Sequence, residues 1–177
     1  MTTPSVVIVG GGVAGLSAAT FTARADIETL VLNAGNSILR RNAHLENYPG
    51  FPAGVNARRL LDMMAEGADR AGATRREAEV VRIDPDDDGF VVETAAGEGY
   101  RADYVVAATK NAVGYLPEGV ECVDRGKSFV VTDDRGRTAV EGVYAAGRLA
   151  GKPHQAVVSA GHGAEGAVTL LEDAAQP

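Results

Sequence analysis

The chain has 177 residues, 45% of them apolar and 23% charged, a soluble globular balance with enough length for one continuous core and too little for two α/β nucleotide folds. A formal charge of −7 speaks against a nucleic-acid partner, because phosphate binding needs a basic face. Apolar stretches of about five residues are far too short for a membrane span, nothing near Val6 to Val9 resembles a signal peptide, and the lone Cys122 can form neither an internal disulfide nor a CxxC pair, which together point to the cytoplasm.

In chain order, Ser5 to Val9 reads as a short buried strand ending in three glycines, and Val13 to Ala25 has the period of an amphipathic helix. Glu28 to Leu32 is a second strand, so the first 32 residues form a βαβ unit with parallel strands. Residues 33–56, dense in Asn, Gly and Pro, read as a loop. Ala57 to Ala71 is predicted as a helix with Leu60, Leu61, Met64 and Ala68 on one face. Glu79 to Asp84, Phe90 to Thr94 and Tyr100 to Ala107, separated by tight turns, are expected as a three-stranded β-meander whose last strand continues into the parallel sheet. After an irregular connection from Asn111 to Gly126 come two short strands, Ser128 to Thr132 and Gly142 to Ala146. A final Ala- and Gly-rich helix runs from about Gln155 to Asp173.

Gly10-Gly11-Gly12-Val13-Ala14-Gly15 spells GxGxxG between the first strand and the first helix. Gly10 permits the tight turn, Gly12 lets backbone approach a pyrophosphate, and Gly15 lets helix and strand pack closely. The helix N-terminus offers unpaired N–H groups and a positive dipole end to the phosphates. Asn33 stands where an acidic residue is expected to hold a ribose; it can hydrogen-bond the hydroxyl without the charge assistance of a carboxylate.

Four ordered segments together resemble the FAD domain of thioredoxin reductase and its relatives, the FAD-dependent pyridine nucleotide-disulfide oxidoreductases. They are VVIVGGGVAGLSAA (residues 6–19), HLENYPGFP (44–52), AEVVRIDPDDDGFVVETAAGEGYRADYVVAAT (78–109) and TAVEGVYAAGRLAGKPHQAVVSAGHGAEGA (138–167). The resemblance covers almost the whole chain. It implies a Rossmann-like, three-layer α/β FAD-binding domain over residues 1–177, with a parallel sheet and a three-stranded β-meander. It further implies that Gly10, Gly12, Val13, Ala14 and Gly15 hold the pyrophosphate, with Asn33 at the ribose, and that Val80 meets the adenine through its backbone. Asn47 would face the flavin ring, Ala108 and Thr109 border the cofactor, and Gly147 approach the ribityl and phosphates. Gln155 and Ala156 would open a helix aimed at the flavin, with His154 just before it.

The chain also departs from the pattern. The family carries a second nucleotide domain between the ATG strand and the last segment; here residues 110–126 fill that interval, so the nicotinamide domain and its CxxC are expected to be missing. The ATG glycine is Lys110 and the Asp of AAGD is Arg148. Losing one ribityl hydrogen bond is worth roughly 1 kcal/mol, small against the ~12 kcal/mol of a nanomolar cofactor. Arg148 is placed either to pair with the pyrophosphate or to obstruct the site.

Among the remaining candidates, His44 and His154 stand near the expected ring positions, while His162 reads as helix surface or interface. Asp86-Asp87-Asp88 reads as a solvated hairpin turn, the paired arginines as ordinary surface, and Cys122 as a buried or incidental thiol; the dispersed histidines give no metal spacing. The expected function is a small flavoprotein oxidoreductase that exchanges electrons with a redox protein or small molecule and forms a homodimer. The alternatives are a non-catalytic nucleotide-binding descendant, or one half of a split reductase.

Overall fold

The computed structural model describes residues 5–41 and 43–176. Strand β1 (Ser5–Val9) leads into helix α1 (Val13–Arg24) and then β2 (Glu28–Asn33). A loop carrying the two-residue strands β3 (His44–Leu45) and β4 (Val55–Asn56) runs to α2 (Ala57–Ala71) and β5 (Thr74–Glu77). Next come β6 (Val80–Asp86), β7 (Gly89–Thr94), β8 (Gly99–Ala102) and β9 (Tyr104–Ala107). The hairpin β10 (Cys122–Asp124) and β11 (Ser128–Val130), then β12 (Val143–Ala145) and α3 (Ala156–Ala174), complete the order.

Five strands form one parallel sheet in the order β12-β9-β1-β2-β5, and β6-β7-β8 form the antiparallel meander. The sheet is covered on both sides, which gives three layers. Val6 and Ile8 of β1 pack with the helices, against Leu16, Ala19, Leu61, Ala167 and Leu170. The alternate residues Val7 and Val9 pack with the meander, against Val80, Ile83, Phe90 and Val92. A strand buried on both faces reads as one continuous apolar run, which is why β1 is so plain in the sequence.

Helix α2 is the amphipathic one, with Leu60, Leu61 and Ala68 buried. It starts at Asn56, whose side-chain oxygen accepts from the Arg58 and Arg59 amides at 3.0 and 3.2 Å, and stops at Gly72 in the left-handed region (φ 105°). No helix among the described residues is long and apolar enough to cross a membrane.

Several boundaries differ from the sequence reading. The stretch Tyr100 to Ala107 is two strands, because Asp103 turns out of the meander; its carboxylate accepts from the Ser5 amide and hydroxyl at 2.5 and 2.9 Å. Strand β5, sequence TRRE, is wholly exposed in side chain and carries no apolar signal. It is recruited as the sheet edge by backbone pairing with β2. The connection after Lys110, irregular by its sequence, contains β10, which pairs with β11.

The C-terminal half is fastened by one polar cluster. Arg137 donates from Nε and Nη2 to the Asp173 carboxylate at 2.8 and 2.7 Å, and the buried Tyr144 hydroxyl donates to the same group at 2.7 Å. The Arg137 hydrogen bonds, with Tyr144 adding to them, hold the Asp173 pKa below its ordinary 3.8. A carboxylate with a depressed folded pKa stabilises above its unfolded pKa and loses that contribution as pH falls through the folded one. Tyr144→Phe is therefore expected to cost about 1 kcal/mol at neutral pH. Urea unfolding should show the gap from wild type narrowing as pH falls below 3.8.

Candidate functional site

The sheet grows outward from β1 through β2 to β5, then returns to the other side of β1 for β9 and β12. At such a reversal the loops beyond the strand ends diverge and leave a crevice. A cleft of about 1050 Å³, open solvent at its mouth included, lies there, between the start of α1 and the residues after β2 and β9.

The glycine turn makes its floor. Gly10 takes φ +115° and donates its amide to the Leu32 carbonyl at 2.8 Å, tying the turn to β2. Helix α1 begins at Gly12 with no side-chain cap and no acidic residue in its first turn, so its leading amides face the cleft without an internal partner. A Cβ on Gly12 would meet only the Ser37 hydroxyl, at 3.8 Å, so the backbone here is open to an approaching group. Gly15 is the opposite: a Cβ there would overlap the Gly10 carbonyl oxygen outright. On the far side of α1, a Cβ on Gly163 of α3 would overlap the Ala14 carbonyl in the same way.

Ten of the residues singled out in the sequence line the cleft: Gly10, Gly12, Val13, Ala14, Asn33, Val80, Ala108, Thr109, Arg148 and His154. The Asn33 side-chain oxygen accepts from the Gly35 amide at 3.1 Å, which shapes the turn after β2. Five do not line it. Gly15 serves packing, and Gly147 is buried (φ +67°) with its amide donated to His162 Nδ1 at 3.0 Å. Asn47 and Gln155 meet each other across 108 residues, Nδ2 donating to Oε1 at 2.8 Å, just before Ala156 opens α3.

Other lining residues carried no distinct signal. Ser37, Ile38 and Leu39 form a wall from within the loop after β2. Tyr115 is buried at the cleft, shares a hydrogen bond with Thr109 Oγ1 at 3.1 Å, and is pushed well above the ordinary tyrosine pKa by desolvation. Lys110, which stands where the family has the ATG glycine, also lines the cleft.

Several readings are corrected. His162 is not on the surface: it is 4% exposed, accepts from Gly147 through Nδ1, and leaves a buried Nε2 without a partner. Of the two readings for Cys122, buried or incidental, the structure has the second: it is exposed and its pKa is raised by partial desolvation, so it is no activated thiolate. A second GxGxxG spacing, at Gly161, Gly163 and Gly166, lies inside α3; of its glycines only Gly163 lies against α1, and a Cβ on Gly161 or Gly166 would meet nothing. His44 Nε2 pairs with the Ala53 carbonyl at 3.1 Å and holds its own loop. Asp86 ends β6 at the tight turn into β7 and pairs with Arg101. The arginine pairs have structural partners, as where Arg75 grips Asp69 at 2.6 Å and Arg76 lies 5.7 Å from the Tyr100 ring centre. No group of three or more His, Cys, Asp and Glu among the described residues is placed to hold a metal ion.

Comparison with known proteins decides the lineage. The model of the pyridine nucleotide-disulphide oxidoreductase family matches in two overlapping stretches, residues 4–109 and 58–163. The chain belongs to that family. Within it, the chain is 36% identical over 144 residues to a bifunctional thioredoxin reductase/thioredoxin of Mycobacterium leprae, covering 75% of this chain and 31% of that one. It is 35% identical over 137 residues to thioredoxin reductase of Streptomyces clavuligerus, covering 73% and 42%. The chain thus spans about a third to two fifths of the length of these curated relatives. Among solved structures, a thioredoxin reductase from Gloeobacter violaceus matches with a TM-score of 0.83 at 20% identity, over 97% of this chain and 96% of that one. An oxidoreductase from Agrobacterium tumefaciens matches with a TM-score of 0.84 at 15% identity, over 98% and 99%. At these identities the structural matches establish the Rossmann-like fold.

Two outcomes follow for this member of the family. Gly15→Ala should destabilise the chain by about 3 kcal/mol or more, since two backbones must separate, whereas Gly12→Ala should unfold within about 1 kcal/mol of wild type in urea. For His162, desolvation first and Lys152 second lower the pKa from its ordinary 6.5. A histidine with a depressed folded pKa stabilises fully above the unfolded value and loses that contribution as pH falls. Thermal unfolding of wild type should therefore weaken from about pH 7 to pH 5 more steeply than that of His162→Asn, both proteins retaining His154.

Proposed function

We propose that the cleft binds FAD and that the chain is a small flavoprotein oxidoreductase, similar in its flavin-binding part to thioredoxin reductase. The observation that carries this reading is the uncapped start of α1, open at Gly12 and facing a cleft whose lining includes most of the residues matched to FAD-binding positions. The residues present fit the group. The free α1 amides suit a diphosphate, Asn33 suits a ribose hydroxyl, and Val80 gives an apolar wall for an adenine.

Bound FAD would supply the electron transfer. The chain's own work is to orient and shield it. Gly15 and Gly163 fix α1 so that its amides stay aimed at the cleft. The buried Tyr115 remains a protonated donor throughout the ordinary pH range. His154, at the mouth, is held neutral at lower pH than usual, first by desolvation and then by the neighbouring cations.

Residues 110–126 leave no room for a nicotinamide domain, so electrons would come from a separate redox protein or a small molecule. By the same resemblance two chains would associate as a homodimer. Purified protein is expected to be yellow, with the visible bands of oxidised flavin, or to become so on adding FAD. Gly12→Val is expected to keep the fold by circular dichroism and to weaken FAD binding by at least about tenfold, through the branched side chain placed where a phosphate would approach. A colourless wild type that takes up ADP and refuses FAD would overturn the flavoprotein reading and favour the non-catalytic descendant.

A further inference from the structure

The chain has lysine only at 110, 127 and 152, in a protein of net charge −7. Two of them, Lys110 and Lys127, stand by the cleft residue His154. Lys110 lines it together with Arg148 and His154. Lys127 is carried on the β10–β11 turn, beside Ser128, whose carbonyl accepts from Asn111 Nδ2 at 3.2 Å and so draws that hairpin to Lys110's side. After desolvation, Arg148, Lys127 and Lys110 are the groups that lower the His154 pKa, and no carboxylate offsets them at that ring. Lys152 acts likewise on His162.

These cations are also free. None of the ion pairs formed among the described residues uses Lys110, Lys127, Lys152 or Arg148; other arginines such as Arg24, Arg41 and Arg125 also stand outside them, and what sets this group apart is its place by the cleft. Like charges gathered at one opening repel one another; water and salt screen part of that cost, and a bound anion relieves more of it. The diphosphate of a dinucleotide brings about two negative charges, and the α1 terminus already offers it a partial positive charge. Lys110, Arg148 and Lys127 exceed that need, and Lys127 stands outside the cleft lining.

We propose that Lys110, Lys127 and Arg148, gathered round His154, form a second anion site at the mouth of the cleft, separate from the diphosphate cradle of α1. Its ligand is a small molecule bearing carboxylate or phosphate, held beside whatever occupies the cleft. The rim is concave, with Lys110, Arg148 and His154 all lining one cleft, which suits a small anion better than a flat protein surface. The identity of this ligand as the flavin's reaction partner rests on the flavoprotein reading; the anion site itself does not.

His154 is the reporter. Its imidazole pKa is read by NMR in flavin-free and in FAD-saturated protein, each titrated with citrate and, separately, with inorganic phosphate. Saturable binding of either anion, with the pKa rising toward its ordinary 6.5, is the expected result, and the tighter of the two names the chemical class. Lys127→Gln should weaken that binding about tenfold, as one charge-assisted contact is lost. Its FAD dissociation constant, from flavin fluorescence, should stay within about twofold of wild type. The site is refuted if neither anion saturates, as for a surface serving an acidic protein, if Lys127→Gln binds the anion like wild type, or if the anion and FAD displace each other. A chain that takes up no FAD fails the flavoprotein reading alone, because the flavin-free titration still decides the rim.

Discussion

The structure depends on a seam where backbones touch with no side chain between them. On one side of α1, Gly15 lies against the Gly10 carbonyl; on the other, Gly163 of α3 lies against the Ala14 carbonyl. Helix α1 is thus clamped at its first turn between β1 and α3. Its axis and the direction of its amides are fixed by contacts that tolerate almost no relaxation, because backbone atoms cannot change rotamer. The helix layer and the mouth of the cleft are positioned from this one point.

The electrostatics of the site are unlike those of the rest of the chain. Helix α1 has neither a capping side chain at the open Gly12 nor an acid in its first turn. The positive end of the helix is left uncompensated. Lys110 and Arg148 add full charges on the facing loops, in a chain that is acidic overall. Local geometry, and not net charge, therefore sets what the cleft attracts.

The sequence made legible what periodicity and glycine spacing encode. Strand β1 shows itself through burial on both faces, α2 through its stripe of Leu60, Leu61 and Ala68, and the meander through its two tight turns. What stayed hidden has physical reasons. Strand β5 is held by backbone pairing alone, so TRRE carries no hydrophobic pattern. Asn47 and Gln155 were each expected at the ring, but their bond to one another depends on a closure across 108 residues. His162 follows a helical pattern that reads as surface, and only the depth at which α3 meets the Gly147 turn buries it. The glycine spacing inside α3 shows the same limit from the other side: it spells GxGxxG, yet only Gly163 meets another backbone, and what a glycine motif does is decided by where it falls.

The short connection after β9 is more than a shortened linker. Tyr115 folds back from it to the Thr109 hydroxyl, and Asn111 ties it to Ser128 of β11. These bonds bring the connection to the cleft and pack Tyr115 with Val9, Ala107 and Leu149 in the meander-side core. A segment that merely bridged two strands would have no reason to bury a tyrosine, since desolvating its hydroxyl is costly unless a partner accepts it. Here the partner is a residue of the cleft itself. Sealing one flank of the cleft and fixing Thr109 is thus part of what this interval contributes, and it places Lys110 at the edge of the opening instead of beyond it.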